Sequence, residues 1–192
     1  MTKIRCDWCV GDELYENYHD SEWGEPVRND RKLFEFLVLE SFQAGLSWIT
    51  ILKKRDNFKQ AFEDFDYTKI ANYNSGKVEE LLTDSGIIRH RAKIEATIQN
   101  AKAFIEIQNE FGSFSDYIWN FLNHRSKLNQ FEFLDEVPAQ TELSQRISKD
   151  LKKRGFKFLG PTTVYAFMQA VGLVNDHLTK CFKHKKAPEN KF

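Results

Sequence analysis

The sequence predicts an all-α fold, and three observations carry that prediction. Apolar residues recur at helical spacing along most of the chain, as in Ile94, Ile98, Ala101 and Ile105. Segments with that period are bounded by capping residues in front and often by glycine behind. No run of any length alternates apolar and polar residues as a half-buried strand requires.

The elements follow in order. Asn29 or Asp30 can cap a helix whose Leu33, Phe34, Phe36 and Leu37 crowd one broad side, and which runs to about Gly45. Ser47 can cap a short helix through Ile49, Ile51 and Leu52, ending in Lys53-Lys54-Arg55. Phe58, Phe62 and Phe65 suggest another short helix, and Val78, Leu81 and Leu82 one more, closed at Ser85-Gly86. A long helix is predicted from about Arg89 to Phe111, stopped by Gly112. Phe114, Tyr117, Ile118, Phe121 and Leu122 repeat the pattern, and Asn123 to Pro138 reads as a loop. The last third holds a helix over 142–154, a glycine-bounded hairpin Gly155-Phe156-Lys157-Phe158-Leu159-Gly160, and a helix from Pro161 to Val171. Backbone amides and a positive helix N-terminus at such a hairpin make a phosphate-sized site, with Lys152, Lys153, Arg154 and Lys157 around it. A solvated basic face on an ordinary helical hairpin is the competing reading.

Both ends of the chain carry candidate metal ligands. If the segment from Asp176 to Cys181 is helical, His177 and Cys181 are i and i+4 and project from one face. Closing a tetrahedral site then needs ligands from Cys6-Asp7-Trp8-Cys9 and Tyr18-His19-Asp20, which would bring the two ends together. Mixed sulfur and imidazole ligation points to zinc. Unrelated thiols and surface histidines are the alternative.

At 192 residues the chain is one domain, or one with a small appendage. No apolar run approaches a membrane span, and Met1-Thr2-Lys3-Ile4-Arg5 leads into no signal-peptide core, so a soluble cytoplasmic protein is expected. Three cysteines are too few for a disulfide framework and suit a reducing compartment. The 28 basic and 28 acidic residues cancel. From Thr141 onward, however, 11 basic residues stand against 4 acidic ones, leaving 17 against 24 in the first 140. A basic end on a neutral chain is what a local polyanion-binding face needs.

Trp8, Tyr15, Tyr18, Trp23 and Trp48 all fall in the first quarter of the chain, interleaved with Glu22, Glu40 and Gln43. A sealed apolar core would not want those polar groups without partners. Glu40 extends the apolar run Leu37-Val38-Leu39 with a carboxylate; the alternative is a solvated glutamate on the outer helix face.

The chain resembles the 3-methyladenine DNA glycosylase I family of the helix-hairpin-helix superfamily. The resemblance is carried by residues 18–24 (YHDSEWG), 39–50 (LESFQAGLSWIT), 86–91 (GIIRHR) and 151–177, in order and across nearly the whole chain. It implies a single glycosylase domain over 1–192, with a zinc-tethered terminal region (1–30 and 172–192) and a helix-hairpin-helix over 142–171. The implied ligands of a structural zinc are Cys6, His19, His177 and Cys181, with Cys9 a competitor for Cys6. The implied partners are double-stranded alkylated DNA and the product 3-methyladenine, released by a monomer without lyase activity. Tyr18 and Glu40 would read the flipped base, Trp48 would stack on it, and Trp8, Tyr15 and Trp23 would wall the pocket. Glu40 would be the catalytic residue. Gly45 and Leu46 would form a wedge in the base stack, while Gly155, Lys157 and Gly160 would grip the DNA backbone. Asn175 stands where many relatives in the superfamily place a catalytic aspartate, so Asp176 is expected to be a cap or a partner of His177. A zinc-stabilised nucleic-acid binder that performs no reaction would explain the hairpin but not why Glu40, Tyr18 and Trp48 should gather beside a wedge.

Overall fold

A computed structural model of the protein describes residues 3–184; the last part of the 172–192 region, with Lys185, Lys186 and Lys191 of the basic end, lies outside the described residues. The described residues are mostly helical, as an all-α fold requires. At the centre lies the helix α2 (Asp30–Gln43), opened by the Asn29 side chain accepting from the Lys32 amide. Every residue from Phe36 to Phe42 is buried, so α2 is enclosed on all sides. It packs against α3 (Trp48–Ala61), α6 (Arg91–Phe111), α7 (Phe114–Asn120) and α9 (Pro161–Ala170). Phe34, Phe42, Phe58, Phe62, Phe104 and Phe114 fill the space between them with edge and stacked ring contacts. Buried aromatics are worth most in such arrangements.

Helix α1 (Glu13–Ser21) precedes this core, capped by the Asp12 carboxylate on the Leu14 and Tyr15 amides. Apolar periodicity does not announce it, because its inward positions are Tyr15, Tyr18 and His19. α3 also departs from expectation. The predicted break after Arg55 is absent, and Phe58 belongs to the same helix, with Phe65 in the following 3-10 turn. Nothing between Trp48 and Ala61 breaks a helix, and the basic triplet is tied down. Arg55 bonds Glu22 and Glu35, and Lys54 bonds the carbonyls of Ser85 and Gly86.

The short helices α4 (Tyr67–Ile70) and α5 (Ser75–Thr83) lead to α6, whose first turn is capped by His90 two residues later than the sequence suggests. Helix α8 (Glu142–Lys153) is capped by Thr141 and packs along α9, joined to it by the hairpin Gly155–Gly160. A two-residue parallel bridge, absent from the sequence prediction, pairs β1 (Lys127–Leu128) with β2 (Val174–Asn175). It fastens the irregular segment before α8 to the stretch after α9. Gly172, at φ +69°, permits that exit: a side chain there would sit 2.5 Å from the Glu25 carbonyl carbon. No helix among the described residues is long and apolar enough to cross a membrane.

Candidate active site and metal centre

Helix α1 divides its inner face between two sites. Tyr15 and Tyr18 turn into a cavity, while His19, one residue on, turns the other way toward the C-terminal end of the chain. There Cys6, His19, His177 and Cys181 converge, all buried, with their ligand atoms within 4.8 Å of one another. His177 Nδ1 lies 3.1 Å from His19 Nε2 and 3.7 Å from Cys6 Sγ. Cys181 Sγ is 3.4 Å from His19 Nε2 and 3.6 Å from His177 Nδ1. A zinc ion bound tetrahedrally by nitrogen and sulfur spaces its ligand atoms by roughly 3.3 to 3.8 Å.

The outer imidazole nitrogens are already committed. His19 Nδ1 meets the Asp20 carboxylate at 2.9 Å, and Asp20 accepts two bonds from Arg5. Burial raises the Asp20 pKa, but the Arg5 and His19 bonds outweigh it and hold the carboxyl down at about 2. His177 Nε2 meets the Trp23 carbonyl at 3.0 Å. Each ring therefore presents its remaining nitrogen to the centre, the orientation that metal-bound histidines adopt. Gly24 permits this packing, since a Cβ there would fall 2.9 Å from His177 Nε2. Hydrogen bonding with Cys6, opposed by burial and helped by both histidines, holds the Cys181 thiol well below its ordinary value; the same bond and burial push Cys6 up. The donor set fits zinc.

Two expectations are corrected here. His177 and Cys181 lie on an irregular turn, not on a helix, and that turn brings the two side chains together. Asp176 is not a partner of His177. Its carboxylate accepts from Tyr165, Gln169 and Asn129, and this network holds the segment after β2. Cys9 stays outside the group: its thiol bonds the Cys6 carbonyl, and burial pushes it up to about 11.

Trp8 and Trp23 stand between this Cys/His cluster and the cavity. Trp23 meets His177 edge-on at 4.6 Å, Trp8 meets His19 at 5.4 Å, and both also line the cavity. That cavity has a volume of about 330 Å³. Tyr15 packs edge-on against Trp8, and Tyr18 lies 5.5 Å from Trp48 between ring centres. Glu40 reaches it from α2 and is only 4% exposed, so the solvated-glutamate alternative is excluded. Burial alone pushes its carboxyl up to about 8. Tyr18 is likewise raised, by burial and then by Glu40.

Three polar atoms on residues that line this cavity, Tyr18 Oη, Glu40 Oε2 and Trp48 Nε1, are buried with no hydrogen-bond partner among the described residues. Native interiors seldom leave such atoms unpaired, so three around one cavity make it the candidate binding site. The sequence-derived set Trp8, Tyr15, Tyr18, Trp23, Glu40 and Trp48 is thus brought together in full. The wall that sequence reasoning missed comes from Thr162, Tyr165, Ala166 and Gln169, one face of α9, and from Leu134, Val137, Pro138 and Ala139. A polar stripe at helical spacing on α9 was the available signal; nothing comparable marked the loop.

Beyond the cavity rim, Gly45 has φ +85° and Leu46 is 41% exposed, so Leu46 is not core. At the hairpin, Lys157 and Gly160 are exposed and Gly155 is half-buried. Arg154 departs from the expected basic ring, being engaged by Glu110 and Asp150.

An aromatic cleft among helices, with a buried carboxyl at its wall, has the shape and chemistry to suit a flat, hydrogen-bonding ring. The chain belongs to the methyladenine glycosylase family, whose family model matches residues 8–184. DNA-3-methyladenine glycosylase 1 of Escherichia coli is 51% identical over 177 residues, covering 92% of this chain and 95% of that protein. The Haemophilus influenzae DNA-3-methyladenine glycosylase is 50% identical over 92% of this chain and 96% of its own length. A variant 3-methyladenine DNA glycosylase I, solved in complex with 3-methyladenine, matches with a TM-score of 0.92 at 39% identity, over 97% of this chain and 98% of that one.

Proposed function

We propose that this chain, as a single domain and a monomer, excises 3-methyladenine from alkylated double-stranded DNA by hydrolysing the N-glycosidic bond, the first step of base excision repair. The observation that carries the reading is the trio of unpartnered polar atoms, Tyr18 Oη, Glu40 Oε2 and Trp48 Nε1, around an aromatic cavity. An adenine methylated at N3 while still on deoxyribose is cationic. Aromatic faces attract that cation, and the Glu40 carboxyl gives up its proton as the positive ring arrives. The carboxylate then accepts hydrogen bonds from the base and opposes the charge that develops on the sugar. Water adds to the sugar carbon as the bond to the purine breaks. The bonding electrons neutralise the departing ring, and the water's proton leaves to solvent. Neutral adenine has no such charge to cancel.

The base reaches the cavity by flipping out of the duplex. Gly45 and exposed Leu46 act as the wedge that fills the vacated space, an apolar insertion of known type. The segment 142–171 is the helix-hairpin-helix, in which Gly155, Lys157 and Gly160 hold backbone phosphates without reading sequence. Lys152, Lys153 and Lys157 pair with no carboxylate among the described residues, which supports this assignment. Zinc on Cys6, His19, His177 and Cys181 is structural, because four protein ligands leave no open position. It would tie Cys6 and His19, near the start of the chain, to His177 and Cys181 after β2, and so brace Trp8 and Trp23.

Incubating the protein with methylated duplex DNA and separating the released bases tests the reading. Release of free 3-methyladenine, leaving abasic sites, is the expected result. DNA retained without base release identifies a binding protein instead.

A further inference from the structure

Two buried polar side chains on α6 have no place in the account so far. Lys93 is 6% exposed, yet no carboxylate pairs with it among the described residues; its ammonium donates to the carbonyls of Phe42 (3.0 Å) and Ala44 (3.1 Å). Those carbonyls end α2 just before Gly45 and Leu46. Asn100 is 2% exposed and clamps the hairpin at one residue, Lys157, through both its amide and its carbonyl. Its Oδ1 accepts from the Lys157 amide at 2.7 Å, and its Nδ2 donates to the Lys157 carbonyl at 3.1 Å. Burying a charge or an amide is unfavourable unless its bonds are made, so both side chains are held firmly where they are.

We propose that Lys93 and Asn100 are positioning residues that mount the wedge turn and the backbone-gripping hairpin on one rigid helix, fixing the distance between them. The proposal rests on the DNA-glycosylase reading. The two residues are i and i+7, on one face of α6 and roughly 10 Å apart along its axis. Thr97 lies between them, its hydroxyl bonded to the Lys93 carbonyl. The hairpin needs such a mount. Phe158 is held at φ +56°, an uncommon conformation for an aromatic residue, and persists only where its surroundings enforce it. The amides of Phe158, Leu159 and Gly160 bond no described residue, so the segment that Asn100 clamps holds three consecutive donors without a partner among them. At the other end, the Lys93 ammonium satisfies the last carbonyls of α2, so the chain can turn sharply at Gly45 and present Leu46. A wedge and a phosphate grip act on one duplex only if their separation matches it. One helix bonded to both elements sets that separation.

Lys93→Met, Lys93→Arg and Asn100→Ala test this with two readouts, affinity for free 3-methyladenine by tryptophan fluorescence and single-turnover excision on methylated duplex at varied DNA concentration. All three should bind the free base within about twofold of wild type. Asn100→Ala should raise the half-saturating DNA concentration about tenfold with the limiting rate unchanged, and Lys93→Met should lower the limiting rate about tenfold. Lys93→Arg, which keeps a cationic donor, should recover most of that rate. Free-base affinity falling in step with excision, through misfolding or general loosening, overturns the proposal, as do unchanged duplex parameters. A wild-type protein that releases no base from duplex overturns the glycosylase reading itself, a result these variants cannot produce.

Discussion

Replacing Glu40 by Gln separates what this carboxyl does for the reaction from what it does to the fold. The side chain keeps its shape and loses only its ability to ionise. Burial raises the folded-state pKa from 4.5 to about 8. Below the unfolded value the group is protonated in both states and stability is unaffected by it. As pH rises toward the folded value, the unfolded chain ionises first, so stability is lost through this window and the loss is complete above it. At about 1.4 kcal/mol per pKa unit, the penalty approaches 5 kcal/mol above pH 8 and is about 3 kcal/mol at pH 7. Glu40→Gln should therefore unfold like wild type near pH 4 and be more stable at pH 7. The gain corresponds to roughly 6–12 °C in melting temperature for a chain of this size. The same variant should excise 3-methyladenine at least about 100-fold more slowly, the usual loss when a group stabilising transition-state charge is removed. Thermal melts across pH, paired with single-turnover excision, measure both. A stability difference that does not change with pH would refute the burial argument, and unchanged excision would remove Glu40 from the mechanism.

Further outcomes follow from the same geometry. Cationic ligands should release close to one proton on binding at pH 7, because they draw the Glu40 carboxyl into its ionised form; calorimetry in buffers of different ionisation enthalpy reads this, and a buffer-independent heat contradicts it. The purified protein should carry one zinc per chain, kept by Cys9→Ser and lost by Cys6→Ser or His177→Ala with a large drop in stability, since structural zinc is worth about 10 to 16 kcal/mol in small peptides; metal analysis with melting decides. Lys157→Ala should weaken duplex binding equally on all sequences and reduce the salt dependence by about one unit of slope. A change confined to one sequence would argue against a phosphate contact.

The parts of the site that could be read in the sequence are those whose chemistry is unusual where it stands. A carboxylate within Leu37-Val38-Leu39-Glu40 is conspicuous on a helix that buries all its neighbours, and sulfur and imidazole groups at opposite ends of the chain suggest a shared site, although only the family resemblance picked out its four members. Tertiary bonds decided what stayed hidden. His177 and Cys181 read as a helical pair, yet they sit on a turn whose course is set by the β2 bridge and by Asp176 bonding Tyr165, Gln169 and Asn129. α3 runs through a basic triplet that local pattern would end, because Glu22, just past the end of α1, and Glu35 of α2 neutralise Arg55. Arg154 was drawn from the expected phosphate ring by Glu110, 44 residues away in sequence. The Leu134 to Ala139 wall of the cavity carries no periodicity at all, so only packing reveals it.

The central claim is that the cavity between α1, α2 and α9 receives the damaged base through groups left unpaired for it. A crystal structure of the protein with 3-methyladenine measures this directly. The account predicts the purine ring inside the cavity, lying against Trp48, with Glu40 and Tyr18 within hydrogen-bonding distance of its edge. A ring bound elsewhere, with Glu40 Oε2 and Tyr18 Oη still without partners, would contradict it.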